Sequence, residues 1–481
     1  MSAMLRINPP SANQIPTLIA SFPIQAFDST MTPSSLKHRT PQRGILQQLN
    51  LPLTSMKSLA ETVRSECELG LKRNSARQAG LNTNAESSLE MIDTCVLDNV
   101  TGRETGTFLA MDLGGSNFRV SVCGLDGSSI QTDHHQVAVP DWIMSKDTTG
   151  TAFFNFLAEE VDSIYPGPCN VGLTFSFPLE QAAKNHATLK YWTKGWQSGE
   201  DTNDPVVGED VVGRLNEAFA RRRSGNKVVV CVNDTVGAQQ ALTYELKNRT
   251  CDDSNCSEDV CDMALIIGTG FNISYTDRQA RSQFNYKGDI VNTEMAALKP
   301  RIPISTAVDN AIDREEAPGV HSFEKMIAGK KAGKTASQVY PQICKDRGLR
   351  VEVLSKELSA SQTAALANAF TLDKDSISAV EAVGLSLPEP QADALCAASY
   401  AVFHRSAQMV ASCIKGCYDR IGKHSLTVGV DGSMYVKNTF YQEMVKNALE
   451  QLVGPGRVTM MISSDGSGRG AAVTAAANGC E

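Results

Sequence analysis

The string Asp112-Leu-Gly-Gly-Ser-Asn-Phe-Arg119 combines a carboxylate, adjacent glycines and several hydrogen-bond donors. Glycines let backbone N–H groups approach a phosphate without a Cβ in the way. Asp112 could hold a metal ion or its waters, and Ser116, Asn117 and Arg119 supply donors. A hairpin turn with ordinary surface residues is the alternative, but the full string favours a phosphate-binding loop.

Other glycine turns follow segments that look like strands. They are Gly268-Thr-Gly270, Asp431-Gly432-Ser433 and the group Gly466, Gly468 and Gly470. The last group precedes an alanine-rich helix, and helix N-termini bind anions readily. None fits the dinucleotide fingerprint G-x-G-x-x-G. Each alone is more often a structural turn, but with the Asp112 string they favour nucleotide binding.

One string is similar to the P-loop motif but does not match it. Ala328-Gly-Lys-Lys-Ala-Gly-Lys-Thr335 has alanine where the first glycine is required, and counting from Gly329 leaves one residue too few. The preceding Phe323-Glu-Lys-Met-Ile327 is not flanked like a buried strand. We therefore do not expect a P-loop here.

Polar clusters in the chain suit a polyol better than a base or a lipid: Ser176-Phe-Pro178, Thr193-Lys194-Gly195 and Asn233-Asp234-Thr235. Asp234 follows a very apolar strand, where a carboxylate is costly unless it is hydrogen-bonded or useful. It could cap the next helix, a role worth about 1 kcal/mol. Its coincidence with the phosphate loops favours a general base.

The elements that must position these residues are strands mixed with helices. Phe108–Asp112, Val171–Phe175, Met263–Ile267 and Leu426–Val430 read as strands, and most of residues 310–420 has a helical pattern. This predicts the α/β class, in which ligands gather outside the carboxyl ends of strands.

Composition narrows the function classes. The 481 residues carry 45 Lys and Arg against 53 Asp and Glu, a formal charge of -8, which disfavours a nucleic-acid partner. Apolar runs of about five residues are far shorter than the roughly 18 that span a bilayer. The 13 scattered cysteines predict reduced thiols in the cytoplasm. Among them, Cys251, Cys256 and Cys261 more closely resemble a polar surface loop than a zinc site.

Residues 1–50 differ from the rest, being rich in Ser, Pro and Thr with Asp28 as the one acidic residue. We predict a disordered extension, with organelle targeting as the weaker alternative.

From about Leu109 to Ala472 the chain resembles the hexokinase family of the actin-like ATPase superfamily. The resemblance is carried by these strings, in the family's order and spacing: LAMDLGGSNFRV, LTFSFPLEQ, YWTKGW, VNDTVGA, IIGTGFN, VNTE, FEKMI, VGVDGS and SSDGSGRGAA. It implies a ribonuclease H-like fold with two lobes closing over a cleft. We expect a small domain of residues 51–232 plus about 466–481, and a large domain of 233–465.

The resemblance also implies residue roles. For the nucleotide these are Asp112, Gly114, Gly115, Ser116, Asn117, Arg119, Thr269, Gly329, Lys330, Asp431, Gly432 and Ser433. For the sugar they are Ser176, Phe177, Thr193, Lys194, Asn233, Asp234, Asn272, Glu294 and Glu324. Asp234 would be the catalytic base and Lys194 would offset developing negative charge. Asp112 would hold Mg²⁺ through bound water.

The chain departs from the family pattern at some positions. Where N-T-E-W-G is usual, Glu294 is followed by Met-Ala-Ala, and Val436 replaces a usual lysine. Other changes fall at Met91–Val96 and Ala332–Lys334. Loss of the tryptophan could make room for a substituent at the second carbon of the sugar.

The implied function is ATP-dependent phosphorylation of the 6-hydroxyl of glucose, fructose or mannose, feeding glycolysis. An N-acetylglucosamine kinase of the same fold is one alternative, and a sugar-sensing protein with weak catalysis is another. The sequence makes no prediction of oligomeric state.

Overall fold

A computed structural model describes residues 44–114, 118–193, 195–249, 260–463 and 466–478. These described residues form one compact unit.

The helices of the described residues are numbered in chain order. They are α1 Ile45–Leu49, α2 Leu53–Gln78, α3 Asp141–Met144, α4 Gly150–Ile164, α5 Val211–Arg222, α6 Asp234–Arg249, α7 Arg278–Phe284, α8 Ala307–Glu315, α9 Ser322–Ile327, α10 Gly329–Asp346, α11 Ala360–Thr371, α12 Ser376–Ala382, α13 Glu389–Ile421, α14 Ser433–Val436, α15 Thr439–Val453 and α16 Gly466–Asn478. None of these described helices is both long and apolar enough to cross a membrane.

The strands are numbered in the same way. They are β1 Ile92–Asp93, β2 Thr105–Leu113, β3 Phe118–Asp126, β4 Ile130–Val137, β5 Asn170–Phe175, β6 Leu179–Ala183, β7 His186–Leu189, β8 Lys227–Val232, β9 Met263–Ile267, β10 Phe271–Thr276, β11 Ile290–Asn292, β12 Leu426–Asp431 and β13 Val458–Ile462.

Two sheets of matching topology divide the molecule into a small and a large lobe. In the small lobe the order is β4-β3-β2-β5-β8, antiparallel from β4 to β2 and parallel from β2 to β8. In the large lobe β11-β10-β9-β12-β13 repeats this pattern, and β1 pairs antiparallel beside β11. The α/β class and the two-lobed fold predicted from the sequence are confirmed.

Strand β8 is almost wholly apolar because both of its faces are covered. In β8, Val228, Val230, Cys231 and Val232 are each at most 1% exposed. Helix α5 and helix α16 both pack against this strand. Burial on both faces explains why this strand reads as a continuous apolar run rather than an alternating one.

Helices α6 and α16 join the two lobes. Helix α16 packs on β2, β5 and β8 of the small sheet, whereas α6 packs on β9, β10 and β12 of the large sheet. The two helices meet through glycines, since a Cβ added at Gly470 would lie 1.7 Å from the carbonyl oxygen of Gly237. The missing side chains allow the backbones to approach closely at this crossing.

Residues 45–91 pack with the large lobe, which differs from the predicted boundaries. The predicted helical face of α2, formed by Leu59, Val63, Cys67 and Leu71, is fully buried in the same core as β9 and α13. Helix α1, which lies within the predicted extension of residues 1–50, is held there by Ile45, whose N–H donates to Asp346 Oδ2 at 2.9 Å. The periodicity of α2 indicates an apolar face, but it does not indicate which lobe covers that face.

Candidate active site

The carboxyl ends of three parallel strands meet at one edge of the small sheet. Asp112 on β2 is paired with Thr174 on β5, and Thr174 is paired with Val232 on β8. Ser176 follows β5, and its N–H donates to Leu113 O at 3.0 Å. Asp234 begins α6 two residues after Val232. The sheet therefore brings three predicted site residues, Asp112, Ser176 and Asp234, to the same edge.

Asp112 is held by partners from two elements. Arg119, its antiparallel neighbour on β3, donates from Nη2 to Asp112 Oδ2 at 2.9 Å. Ser467 in the first turn of α16 donates from Oγ to the same oxygen at 3.3 Å. The carboxyl group is largely buried, with Asp112 9% exposed. Gly114 follows β2 and is half-buried. The predicted residues Gly115, Ser116 and Asn117 lie outside the described residues.

Asp431 ends β12 and also contacts α16. Its Oδ1 accepts from Gly432 N at 2.6 Å and its Oδ2 accepts from Gly466 N at 3.2 Å. Gly432 has a φ of +103°, and a Cβ there would lie 2.4 Å from Ile267 O. Glycine is therefore required at this turn. Ser433, the third predicted member of the turn, is exposed at the start of α14.

The turn after β9 is bound to the start of α10. Gly329 N donates to Gly268 O at 2.8 Å, and Lys330 N donates to Thr269 O at 3.4 Å. A Cβ at Gly329 would lie 2.9 Å from Gly268 O. Thr269, Gly329 and Lys330, which the resemblance assigned to the nucleotide, therefore lie together.

The P-loop-like string is helical. It opens α10 and is preceded by α9 rather than by a strand, so it lacks the strand–loop–helix context that a P-loop requires. Its lysines pair with the end of α8: Lys330 Nζ lies 3.1 Å from Glu316 Oε1, and Lys331 contacts Glu316 as well. Hydrogen bonds from Lys331 and Lys330 lower the pKa of Glu316 to about 2.

Asn233, rather than Asp234, caps helix α6. Its Oδ1 accepts from Thr235 N at 3.0 Å and from Thr235 Oγ1 at 2.6 Å, and its carbonyl oxygen accepts from Gly237 N. These are the contacts of an N-cap residue. Asp234 is the first helical residue and is half-buried, with Oδ1 accepting from Thr235 N at 2.9 Å. The capping alternative raised for Asp234 thus applies to its neighbour.

Asparagine side chains link the large-lobe residues assigned to the sugar. Asn272 Nδ2 donates to Asn292 Oδ1 at 2.9 Å and lies 3.4 Å from Asn233 Oδ1. Asn292 Nδ2 donates to Glu294 Oε1 at 2.8 Å. Asn233, Asn272 and Glu294 therefore belong to one chain of hydrogen bonds.

Glu324 lies beside the glycine turn after β9. Its Oε2 accepts from Phe271 N at 2.9 Å, and a Cβ at Gly270 would lie 2.9 Å from the same oxygen. His321 Nδ1 lies 3.9 Å from Oε1. Helix α9 therefore presents the Glu324 carboxylate next to β10, the strand that carries Asn272.

An aromatic cluster supports the small-lobe residues assigned to the sugar. Phe177 packs edge-on against Trp192 with ring centroids 4.9 Å apart, and Trp192 stacks on Trp196 at 5.6 Å. Trp196 N donates to the carbonyl oxygen of Thr193 at 3.2 Å. Phe177 is buried in this cluster, and Thr193 is half-buried. Lys194 lies outside the described residues.

Tyr191 interacts electrostatically with Glu294, one of the residues assigned to the sugar. Burial, together with the negative charges of Glu294 and Glu90, raises the pKa of this tyrosine. Glu294 has a φ of +52°, which is uncommon for a residue other than glycine. Met295, at the position where the family usually has tryptophan, is fully buried in the core of the large lobe.

The described residues contain no cluster of three or more His, Cys, Asp or Glu side chains arranged to hold a metal. Cys261 is buried with its Sγ 3.0 Å from Met263 O, and burial raises its pKa to about 12. Cys251 and Cys256 lie outside the described part of the chain.

Sequence reasoning did not assign roles to Asn292 and Ser467. Both belong to strings noted for the resemblance, VNTE and SSDGSGRGAA. No residue type or spacing within those strings indicates that Asn292 contacts Asn272 or that Ser467 contacts Asp112, because both contacts depend on tertiary structure.

Comparison with known proteins gives a consistent result. Two hexokinase family models match the chain, over residues 42–244 and 262–477. A hexokinase of Plasmodium falciparum is 29% identical over 90% of each chain. A hexokinase of Toxoplasma gondii is 30% identical over 91% of this chain and 95% of its own.

Solved structures agree in fold. A hexokinase crystal structure has 31% sequence identity and a TM-score of 0.80, covering 92% of this chain and 99% of its own. The hexokinase of Schistosoma mansoni in complex with glucose has 27% identity and a TM-score of 0.71, covering 90% of this chain and 97% of its own.

Proposed function

This chain belongs to the hexokinase family and is a hexokinase-type phosphotransferase that uses ATP on a hexose, and we propose that it phosphorylates the 6-hydroxyl with Asp234 as general base. The observation that supports the proposal most directly is that Asp234 and Asp112 lie at the same edge of the small sheet. Residues assigned to the sugar and residues assigned to the ATP phosphates both lie at this edge.

The base role fits the local chemistry. A sugar hydroxyl is a poor nucleophile, so a carboxylate within hydrogen-bond reach must take its proton during phosphoryl transfer. Asn233 provides the helix cap, so the carboxylate of Asp234 is not required for that purpose. A general base contributes about 10²- to 10⁴-fold to the rate.

The donor set around Asp112 and Asp431 fits Mg²⁺. This cation is usually bound through one or two carboxylates plus waters and substrate phosphates, rather than in an all-protein cage. Asp112 and Asp431 would hold it through water, and when bound it would neutralise charge on the ATP phosphates. The amide of Gly114 would donate to the phosphates, and Lys194 would add a positive charge.

The sugar would be oriented by acceptors and donors from both lobes. Glu294 and Glu324 can accept from hydroxyl groups, and charged acceptors make the stronger hydrogen bonds. The contact between Asn272 and Asn233 is long at 3.4 Å, so a sugar hydroxyl could replace it with little loss. Ser176 and Thr193 would contribute from the small lobe. Closure of the lobes would exclude water, a competing acceptor.

A plain hexose is the favoured substrate. At the position of the missing tryptophan, on which the argument for N-acetylglucosamine depended, this chain has Met295, whose side chain is fully buried in the core of the large lobe. The related Schistosoma mansoni hexokinase in complex with glucose supports the same choice. A cytoplasmic location and a role in glycolysis complete the proposal.

The test is ADP release from Mg-ATP with glucose, fructose, mannose and N-acetylglucosamine in turn. The proposal predicts release with glucose and a product phosphorylated at the 6-oxygen. Turnover confined to N-acetylglucosamine would contradict the substrate class. Sugar binding without turnover would contradict the enzymatic role and favour a sugar sensor.

A further inference from the structure

The side chain of Asn292 is hydrogen-bonded to Asn272 and Glu294, two residues that are predicted to bind the sugar. Its Oδ1 accepts from Asn272 Nδ2 at 2.9 Å and from Glu294 N at 3.3 Å. Its Nδ2 donates to Glu294 Oε1 at 2.8 Å. Asn292 ends β11 and is 3% exposed, so these bonds form away from bulk water.

Glu294 depends on this neighbour for its conformation. Its positive φ costs energy for a residue with a Cβ and persists only where the surroundings hold it. Asn292 binds both the N–H and the carboxylate of Glu294, while Asn272 Oδ1 accepts from Met295 N at 3.1 Å. The two asparagines thus hold the backbone on both sides of the strained residue.

We propose that Asn292 is a positioning residue for the sugar: its carboxamide sets the direction of both the Glu294 carboxylate and the Asn272 amide. This inference rests on the proposed sugar-kinase function. Asn292 does not itself need to touch the sugar. Its action passes through Glu294 and Asn272, and through Asn272 it reaches Asn233 next to Asp234.

Asn292→Asp is the most informative substitution. It keeps the shape and the acceptor Oδ1 but places a carboxylate oxygen opposite Glu294 Oε1, at a position where the wild type has a 2.8 Å bond. Two adjacent carboxylates raise each other's pKa. At lower pH one proton is therefore shared between the new carboxylate at position 292 and Glu294, which restores a hydrogen bond between the two side chains. The defect should therefore shrink as the pH falls.

Asn226→Asp is the matched control. Asn226 is also buried, 4% exposed, and its Nδ2 donates to a carboxylate, Asp162 Oδ1, at 3.1 Å. It lies just before β8, at the end of that strand opposite to Asp234. This variant also places a new carboxylate against an existing one, Asp162, but away from the site.

The measurement is the KM for sugar and for ATP at several pH values, with tryptophan fluorescence for sugar affinity. For Asn292→Asp we expect the sugar KM to rise about tenfold or more, with the ATP KM within about twofold. The ratio of the sugar KM to that of the wild type should fall several-fold between about pH 8 and about pH 6. Asn226→Asp should leave both KM values near wild type.

An unchanged sugar KM, an equal rise in both KM values, or a pH-independent defect would overturn the inference. If Asn292→Asp does not fold, Asn292→Ala takes its place, with a raised sugar KM and an unchanged ATP KM expected. An inactive wild type would instead refute the proposed function, so the two failures are distinguishable.

Discussion

Asp112 and Asp431, one at the end of a strand in each lobe, are bound by consecutive residues of a single helix. Ser467 Oγ donates to Asp112 Oδ2 at 3.3 Å, and Gly466 N donates to Asp431 Oδ2 at 3.2 Å. The first turn of α16 therefore sets the spacing of the two carboxylates. The positive end of the helix dipole also stabilises their charge.

Ser467→Ala removes one of these two bonds. A hydrogen bond to a charged group contributes about 1.5–3 kcal/mol, but this one is long, so we expect a rise in the ATP KM of about three- to tenfold. The sugar KM should stay near wild type. Steady-state kinetics on both substrates check this, with Ser282→Ala in α7 as the control. An unchanged ATP KM would contradict the role given to Ser467.

Gly470→Ala tests the crossing of α6 and α16. The new Cβ would lie 1.7 Å from Gly237 O, so the helices must separate. Overpacking of this kind costs about 1–3 kcal/mol, and we expect both lower stability and lower kcat. The control is Gly124→Ala, where a Cβ meets nothing within 4 Å. Denaturant unfolding and kcat give the result, and wild-type values for both would show that the crossing tolerates a side chain.

Asp309→Asn tests a buried ion pair in the large lobe. Arg405 donates to both oxygens of Asp309, at 2.6 and 2.8 Å, and Arg405 is fully buried. Removing one partner of a buried pair costs about 3–5 kcal/mol. The partly exposed surface pair of Lys415 and Asp419 is the control, because Asp419→Asn should cost at most about 0.5 kcal/mol.

The same pair predicts a pH dependence. Burial alone raises the pKa of Asp309, but the charge of Arg405 and the hydrogen bonds from Arg405 and Thr306 outweigh it, so the pKa is lowered. The stabilisation is therefore complete above the unfolded pKa of about 3.9 and is lost as the pH falls through the lower folded value. The measurement is the free energy of unfolding of the wild type and of Asp309→Asn, from pH 7 downwards. The wild type should be the more stable of the two at pH 7, and this difference in stability should disappear only at acidic pH. An advantage that disappears near neutral pH would contradict the assignment.

Truncation tests the boundary of the catalytic body. Removing residues 1–42 should leave kcat near wild type, because the family match begins at residue 42 and the described compact unit begins at residue 44. Removing residues 1–52 also deletes Ile45, Leu49 and Leu51, which are buried. Each buried aliphatic side chain contributes about 1.5–3 kcal/mol, so the longer truncation should be markedly less stable. Equal stability of the two truncations would contradict the packing of α1.

The local parts of this site could be predicted from the sequence. Asp112, Asp234 and Asp431 each lie at or just after the end of an apolar strand, and α/β folds bind ligands outside the carboxyl ends of strands. The side chain at 295 could not be predicted, because only packing determines that Met295 faces the core. The contact of Ser467 with Asp112 and the position of α2 in the large lobe also depend on tertiary structure. Spacing along the chain carries no information about either.

The central claim is that Asp234 takes the proton of the sugar 6-hydroxyl. Asp234→Asn retains an acceptor for Thr235 N and removes the base. Asp375→Asn, at the cap of α12, is the control for the same substitution away from the site, since Asn and Asp cap helices about equally well. The measurement is sugar-dependent ADP release, alongside sugar binding followed by the fluorescence of Trp192 and Trp196. The account predicts that Asp234→Asn loses about 10²-fold or more of kcat while sugar affinity stays near wild type. Turnover with glucose that survives Asp234→Asn intact would contradict it.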